Sequence, residues 1–197
     1  MEIANLKDDP DIDAIVWIGF PGAYGFYGVA DVLNGTVSPS AHLGDVMAKN
    51  SALAPAMANY GNIPWTNAAD FAADANVNSY LIEAEGIYAG YRYYETAHVP
   101  VRYPFGYGLS YTTFAYSDLK ADADKVTFTI TNTGSRAGAE IAQLYVVKAD
   151  AAVFRPEKEL KGFAKVFLHA GECKSVTIPL VDKALRYCFV KTDRWET

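Results

Sequence analysis

Beyond residue 124 apolar and polar positions alternate with the period of a strand. In KVTFTITNTG (125–134), Val126, Phe128 and Ile130 alternate with Thr127, Thr129 and Thr131 before an Asn-Thr-Gly turn, which predicts a strand with one buried and one wet face. AEIAQLYVV (139–147), KELKGFAKVFL (158–168), ECKSVTIPL (172–180) and ALRYCFV (184–190) follow, separated by GSRAG, a polar loop and HAG. Five or six short strands divided by turn signals predict an antiparallel β-sandwich of immunoglobulin-like type.

The first half obeys other rules. DAIVWIGF (13–20) is a continuous apolar run with β-branched Ile15, Val16 and Ile18, the pattern of a strand buried on both faces of a parallel sheet. Pro21 and Gly22 turn the chain. Tyr24, Tyr27, Val29, Val32 and Leu33 then recur at spacings near three and four before Asn34 and Gly35, predicting a helix and its stop. The turn in GFPGAYG carries neither the Walker lysine nor the full dinucleotide glycine pattern, so no phosphate site is assigned to it. From Thr36 to about Tyr80 neither period is sustained. A stretch that long without structure of its own predicts an arm lying on a neighbouring surface. Trp65, Phe71 and Tyr80 are its anchors, although aromatic side chains in a sugar-binding cleft would read the same way.

Between the halves, YPFGYGLSYTTFAYS (103–117) mixes six aromatic residues with Gly106, Gly108 and Ser110. The glycines weaken both helix and strand, and Pro104 removes a backbone donor. The segment reads as a junction, with Tyr103, Phe105, Tyr107, Tyr111 and Phe114 as the rings that fill it.

With 197 residues, 51% of them hydrophobic, the chain can bury one core or two small ones. Its 17 basic and 23 acidic side chains give a net charge of -6 without a basic run, which argues against a nucleic-acid partner. The longest apolar run is far shorter than the roughly 20 residues of a membrane span. The acidic N-terminus, MEIANLKDDPDID, lacks the pattern of an export signal, so a cytoplasmic location is expected. Cys173 and Cys188 have no metal-ligand spacing and are expected as buried or half-buried thiols. His42, His98 and His169 share no spacing either, so neither a metal site nor a cofactor is expected.

EGIYAGYRYY (85–94), YPFGYGLSYTTFAYS (103–117), VTFTITNTGSRAGAEIAQLYV (126–146) and RPEKELKGFAKVFLHAGECKSVTIPL (155–180) resemble, in this order, the C-terminal part of glycoside hydrolase family 3, the β-glucosidase and β-xylosidase family. GFPGAYGFYGVADVLNGTVSPS, near the start, does so too, and the resemblance runs from about residue 13 to 190. It implies that residues 103–117 lead from an α/β sandwich domain into a fibronectin type III-like domain. One departure is SPSAHLGDV (38–46), which stands where text like SPSGRLP is usual.

Retaining glycosidases need two carboxyl groups about 5 Å apart across the scissile bond. In the resembling family the nucleophilic Asp lies in an SDW-like motif of a barrel domain, and the acid/base Glu in a loop upstream of the strand matching DAIVWIGF. Neither motif is present, and EAEGIY matches a different, downstream motif, so no catalytic residue is assigned. Glu85, Arg92 and Trp65 are the candidate carbohydrate contacts. For Glu85 and Arg92 the competing structural reading, favoured here, is that they pair with each other or with backbone at the domain seam.

The expected architecture is therefore mainly β: a fibronectin type III-like β-sandwich preceded by a small partial α/β segment and a long irregular arm. Residues 1–102 would be the remnant of the α/β domain with its arm, 103–117 the junction, and 118–197 the sandwich without its last strand. The expected function is that of the C-terminal portion of a β-glucosidase-like hydrolase, inactive alone. An accessory carbohydrate- or protein-binding module, or a truncated product with no function of its own, are the alternatives. β-Glucosides or the missing catalytic domains are the expected partners. A homodimer is expected to cover the edge left beside ALRYCFV.

Overall fold

The computed structural model describes residues 3–58, 83–151, 153–181, 183–189 and 191–196. In chain order the elements are α1 (Ala4–Lys7), α2 (Gly22–Leu33), β1 (Met47–Ala48), α3 (Tyr91–Thr96), β2 (Val101–Tyr103), β3 (Phe114–Ala121), β4 (Lys125–Asn132), β5 (Gly138–Val146), β6 (Glu159–Leu168), β7 (Cys173–Pro179), β8 (Tyr187–Phe189) and β9 (Arg194–Glu196).

The alternating segments build the sandwich. One antiparallel sheet runs β3-β4-β7 and faces a two-stranded sheet of β5 and β6. Val126, Phe128 and Ile130 point inward from β4 and meet Val176 and Ile178 of β7, Ala142 of β5 and Leu168 of β6. Their intervening threonines stay on the outer face, where Thr127 and Thr177 share a hydroxyl hydrogen bond of 3.1 Å. Gly162 lets the sheets approach closely, since a Cβ there would lie 2.5 Å from Cγ2 of Ile178. The fold is mainly β, of fibronectin type III-like class, as the alternation and the resemblance imply.

The edge strand β3 lies in a stretch whose sequence suggests no plain strand. Of its eight residues only Phe114 is half-buried, while Tyr116 on the same face stays half exposed as its ring meets Phe128 at 5.9 Å, so the apolar alternation that marks a strand is weak. Backbone pairing with β4, from Phe114 opposite Asn132 to Ala121 opposite Val126, holds it instead. A register shift after Ser117, with Asp118 at φ 54°, bends this edge.

Two further expectations are corrected. Residues 13–20 form no strand, and Ile15, Val16, Trp17 and Ile18 are all exposed. A parallel strand exists only between partners, and no described residue pairs with this run. Cys173 and Cys188 are free but exposed rather than buried, because Cys173 starts an edge strand and Cys188 sits in the β8–β9 hairpin, which is hydrogen-bonded to neither sandwich sheet. The helix prediction holds. α2 ends at Asn34, whose N–H returns to the carbonyl of Ala30, and Gly35 follows at φ 78°. Yet α2 has no buried residue. No helix of the described residues is long and apolar enough to cross a membrane.

Candidate functional site

The densest polar and aromatic contacts lie where the first half meets the sandwich. β1 pairs antiparallel with β2, burying Met47 and Ala48. Just beyond, Leu43 donates its N–H to the carbonyl of Tyr107 and accepts one from Gly106, both at 2.8 Å. Gly106 stands at φ 78°, and a side chain there would overlap the amide of Gln143. That position is confined to glycine by conformation and by space. Arg102 of β2 forms a two-toothed ion pair with Asp8 at 2.9 and 3.1 Å, tying the end of α1 to the same layer.

Polar groups bridge this layer to β5. The side-chain amide nitrogen of Gln143 donates to Nδ1 of His42 at 3.3 Å and to the carbonyl of Gly106 at 3.4 Å. Its oxygen accepts from the Tyr145 hydroxyl at 2.6 Å. On its other side His42 places Nε2 3.8 Å from Glu140, whose second oxygen accepts from Tyr116 at 2.8 Å. Burial and then this hydrogen bond to Glu140 push the Tyr116 hydroxyl far above its ordinary value. Burial, then Tyr91 and Glu95, raise Tyr145 to about 12.

α3 supplies the aromatic part of the seam. Tyr91 packs its ring against Phe105 at 5.0 Å and meets Tyr145 edge-on at 6.0 Å, while its hydroxyl accepts the N–H of Leu160 at 2.8 Å. Thr96 accepts the N–H of Glu157 at 3.0 Å, and Lys158 pairs with Glu95 at 3.0 Å. Tyr94 is buried and, with Val46, borders both a cavity of about 240 Å³ under α3 and a second of about 190 Å³ beside Asp45 and Ala56. Farther along, Tyr111 donates to the carbonyl of Val32 at 2.9 Å, and Arg136 donates to that of Gly35 at 2.5 Å while lying over the Tyr111 ring. These two contacts anchor the end of α2.

The junction rings divide. Tyr103, Phe105 and Phe114 are half-buried, whereas Tyr107 and Tyr111 are more exposed, Tyr107 lying tilted against the Tyr103 ring at 4.6 Å and Tyr111 working through its hydroxyl. Of the candidate sugar contacts, Glu85 is half-buried in a turn over residues 84–87, and its carbonyl accepts the N–H of Tyr88. Arg92 lies over the Tyr91 ring at 5.9 Å, with a buried Nε that has no hydrogen-bond partner among the described residues. Trp65 lies outside the described residues. The carboxylates at the seam are engaged: Glu140 as above, and Glu159 by Arg155 at 2.6 Å and Lys161 at 3.5 Å. Burial raises the Glu159 carboxyl, but Arg155 and Lys161 more than offset it and hold the group below its ordinary range. Among the described residues no three His, Cys, Asp or Glu side chains gather as a metal site.

Sequence reading did not anticipate the His42–Gln143–Glu140 bridge. The available signal was the pair of polar residues inside the otherwise apolar strand AEIAQLYVV.

Residues 1–111 match the glycosyl hydrolase family 3 C-terminal domain, and residues 140–197 the fibronectin type III-like domain. The chain is 40% identical to an exo-α-(1→6)-L-arabinopyranosidase of Bifidobacterium longum over 88% of its own length and 22% of that protein's. It is also 40% identical to the thermostable β-glucosidase B of Acetivibrio thermocellus, over 85% of its length and 21% of that protein's. The crystal structure of a GH3 β-glucosidase from Bifidobacterium adolescentis superposes with a TM-score of 0.74 at 40% identity, covering 87% of this chain and 24% of that one. The chain thus spans about a fifth of the length of the curated relatives it matches.

Proposed function

The chain belongs to glycoside hydrolase family 3, carrying its C-terminal region, and from that premise we propose that it is the scaffold end of a β-glucosidase-type hydrolase and does not cleave glycosides by itself. Its task in this reading is to hold the end of an α/β sandwich domain against a fibronectin type III-like domain. The observation that carries it is how the seam uses its polar groups. His42, Gln143, Glu140 and Tyr116 are spent on one another, and Glu159 and Glu95 on Arg155 and Lys158. A retaining hydrolase needs one carboxylate free to attack and another poised to donate a proton. Glu140, Glu159 and Glu95 are each already engaged with a basic or hydroxyl partner in the seam.

The assay is release of the aryl group from aryl β-glucosides and β-xylosides by the purified chain. The expected rate equals that of buffer. Release above buffer that Glu85→Gln abolishes would overturn the reading and make Glu85 a catalytic group.

A further inference from the structure

Asn34 and Gly35 form the sole Asn-Gly pair in the sequence. Such a pair can react with itself, because the glycine has no Cβ to keep its nitrogen from the asparagine side-chain carbon. Here Asn34 is also the exposed cap of α2, a helix with no buried residue. Helix ends fray, and one held by a few local contacts opens most readily.

The electrophile is already prepared. Thr36 donates its N–H to the side-chain oxygen of Asn34 at 2.8 Å, in position to stabilise the negative charge that attack would place on that oxygen. The nucleophile is held away. Asn34 lies at ψ -4°, which turns the Gly35 nitrogen from the side-chain carbon, and the Gly35 N–H is engaged by the carbonyl of Val32 at 3.0 Å. Attack therefore waits until the last turn of α2 opens. The sandwich resists that opening at two points. Tyr111 donates to the same Val32 carbonyl at 2.9 Å, and Arg136 to the carbonyl of Gly35 at 2.5 Å.

We propose that Asn34 is a self-modification site gated by Tyr111 and Arg136. Once the turn opens, the Gly35 nitrogen gives its proton to solvent and bonds to Cγ of Asn34. The bond from Cγ to Nδ2 breaks, and the amide nitrogen leaves as ammonia after taking a proton from water. Water then opens the succinimide ring at either carbonyl, leaving aspartate or isoaspartate at position 34. No other reagent is consumed. The isoaspartyl product carries an extra backbone methylene, which shifts the Gly35 carbonyl from Arg136, so one event adds a negative charge and frees the end of α2 from the sandwich.

The full chain, incubated near neutral pH at physiological temperature, is followed by peptide mass mapping and by enzymatic methylation of isoaspartate. Asn50 is the internal control: its side-chain oxygen accepts the N–H of Ala52 at 2.9 Å in the same manner, but a serine follows it. Asn34 is expected to react ahead of Asn50. Tyr111→Phe and Arg136→Gln each remove one hydrogen bond from the gate and should raise the rate at Asn34 about threefold or more. In concentrated urea, where the gate is gone, parent and variants should share one rate, faster than that of the folded parent. Thermal unfolding identifies a variant that has lost its fold, and Tyr111→Phe, which keeps the ring, then carries the test. Reaction at Asn50 without reaction at Asn34 would overturn the proposal. So would folded variants that react no faster than the parent, or variants that differ from it as much in urea as when folded.

Discussion

Thr112 donates its hydroxyl proton to the side-chain oxygen of Asn132 at 2.7 Å, inside the protein. Asn132 is fully buried, and the same oxygen accepts the N–H of Gly134, while the amide nitrogen donates to the carbonyls of Arg136 and Leu168. One side chain thus closes the ends of β4 and β6, the following turn and the junction. Asn132→Leu strands the buried Thr112 hydroxyl and Leu168 carbonyl without a partner, so we expect a loss of about 3 kcal/mol in urea unfolding. A variant as stable as the parent would show that these groups find other partners.

Phe105 is half-buried against Tyr91. Full burial would make Phe105→Ala cost about 3–5 kcal/mol; with half of the ring covered we expect about 2 kcal/mol. Thermal unfolding checks the value, and an unchanged midpoint would mean that the ring contributes nothing to the seam.

Gly162→Ala places a methyl group against Ile178 across the two sheets. The expected loss is about 1–3 kcal/mol. Ile178→Ala in the same chain should make the combined loss smaller than the sum of the two single losses, because it removes the Cγ2 methyl against which the new group presses. Additive losses in the double variant would show the contact to be relieved elsewhere.

The tyrosines of the bridge set an alkaline limit. Tyr145, raised by burial and then by Tyr91 and Glu95, ionises near 12 in the folded chain against 10.0 ordinarily. Between those values the unfolded chain has released a proton that the folded chain still binds, so stability falls as pH rises from about 10 to about 12. Below pH 10 this contribution is fully present. Urea midpoints across the window should decline in the parent and decline less steeply in Tyr145→Phe. The remaining slope belongs to Tyr116, which burial and Glu140 shift in the same direction, and to Tyr88, Tyr94 and Tyr187, which burial also raises. Equal slopes in parent and variant would count against the assignment.

The sandwich was legible residue by residue wherever burial repeats every second position: Val126, Phe128 and Ile130 announce β4 and its inner face. α2 was legible through its spacing and its Asn34–Gly35 stop. β3 was not, because an edge strand whose residues are almost all exposed carries little alternation to read. The run at 13–20 was legible in its chemistry but not in its conformation, since its pattern describes neighbours as much as itself.

The seam shows the same division most sharply. The aromatic and glycine content of residues 103–117 already marked a junction, because rings demand burial and glycines permit backbone shapes that other residues refuse. That His42 would reach Gln143, or Tyr111 the carbonyl of Val32, could not be read from the chain, for those pairs lie 101 and 79 positions apart. By itself the sequence determined which segments would bury a face, through local periodicity that each segment carries alone. Only the tertiary structure decided which polar groups would satisfy one another, because a hydrogen bond acts over about 3 Å in space and is indifferent to distance along the chain.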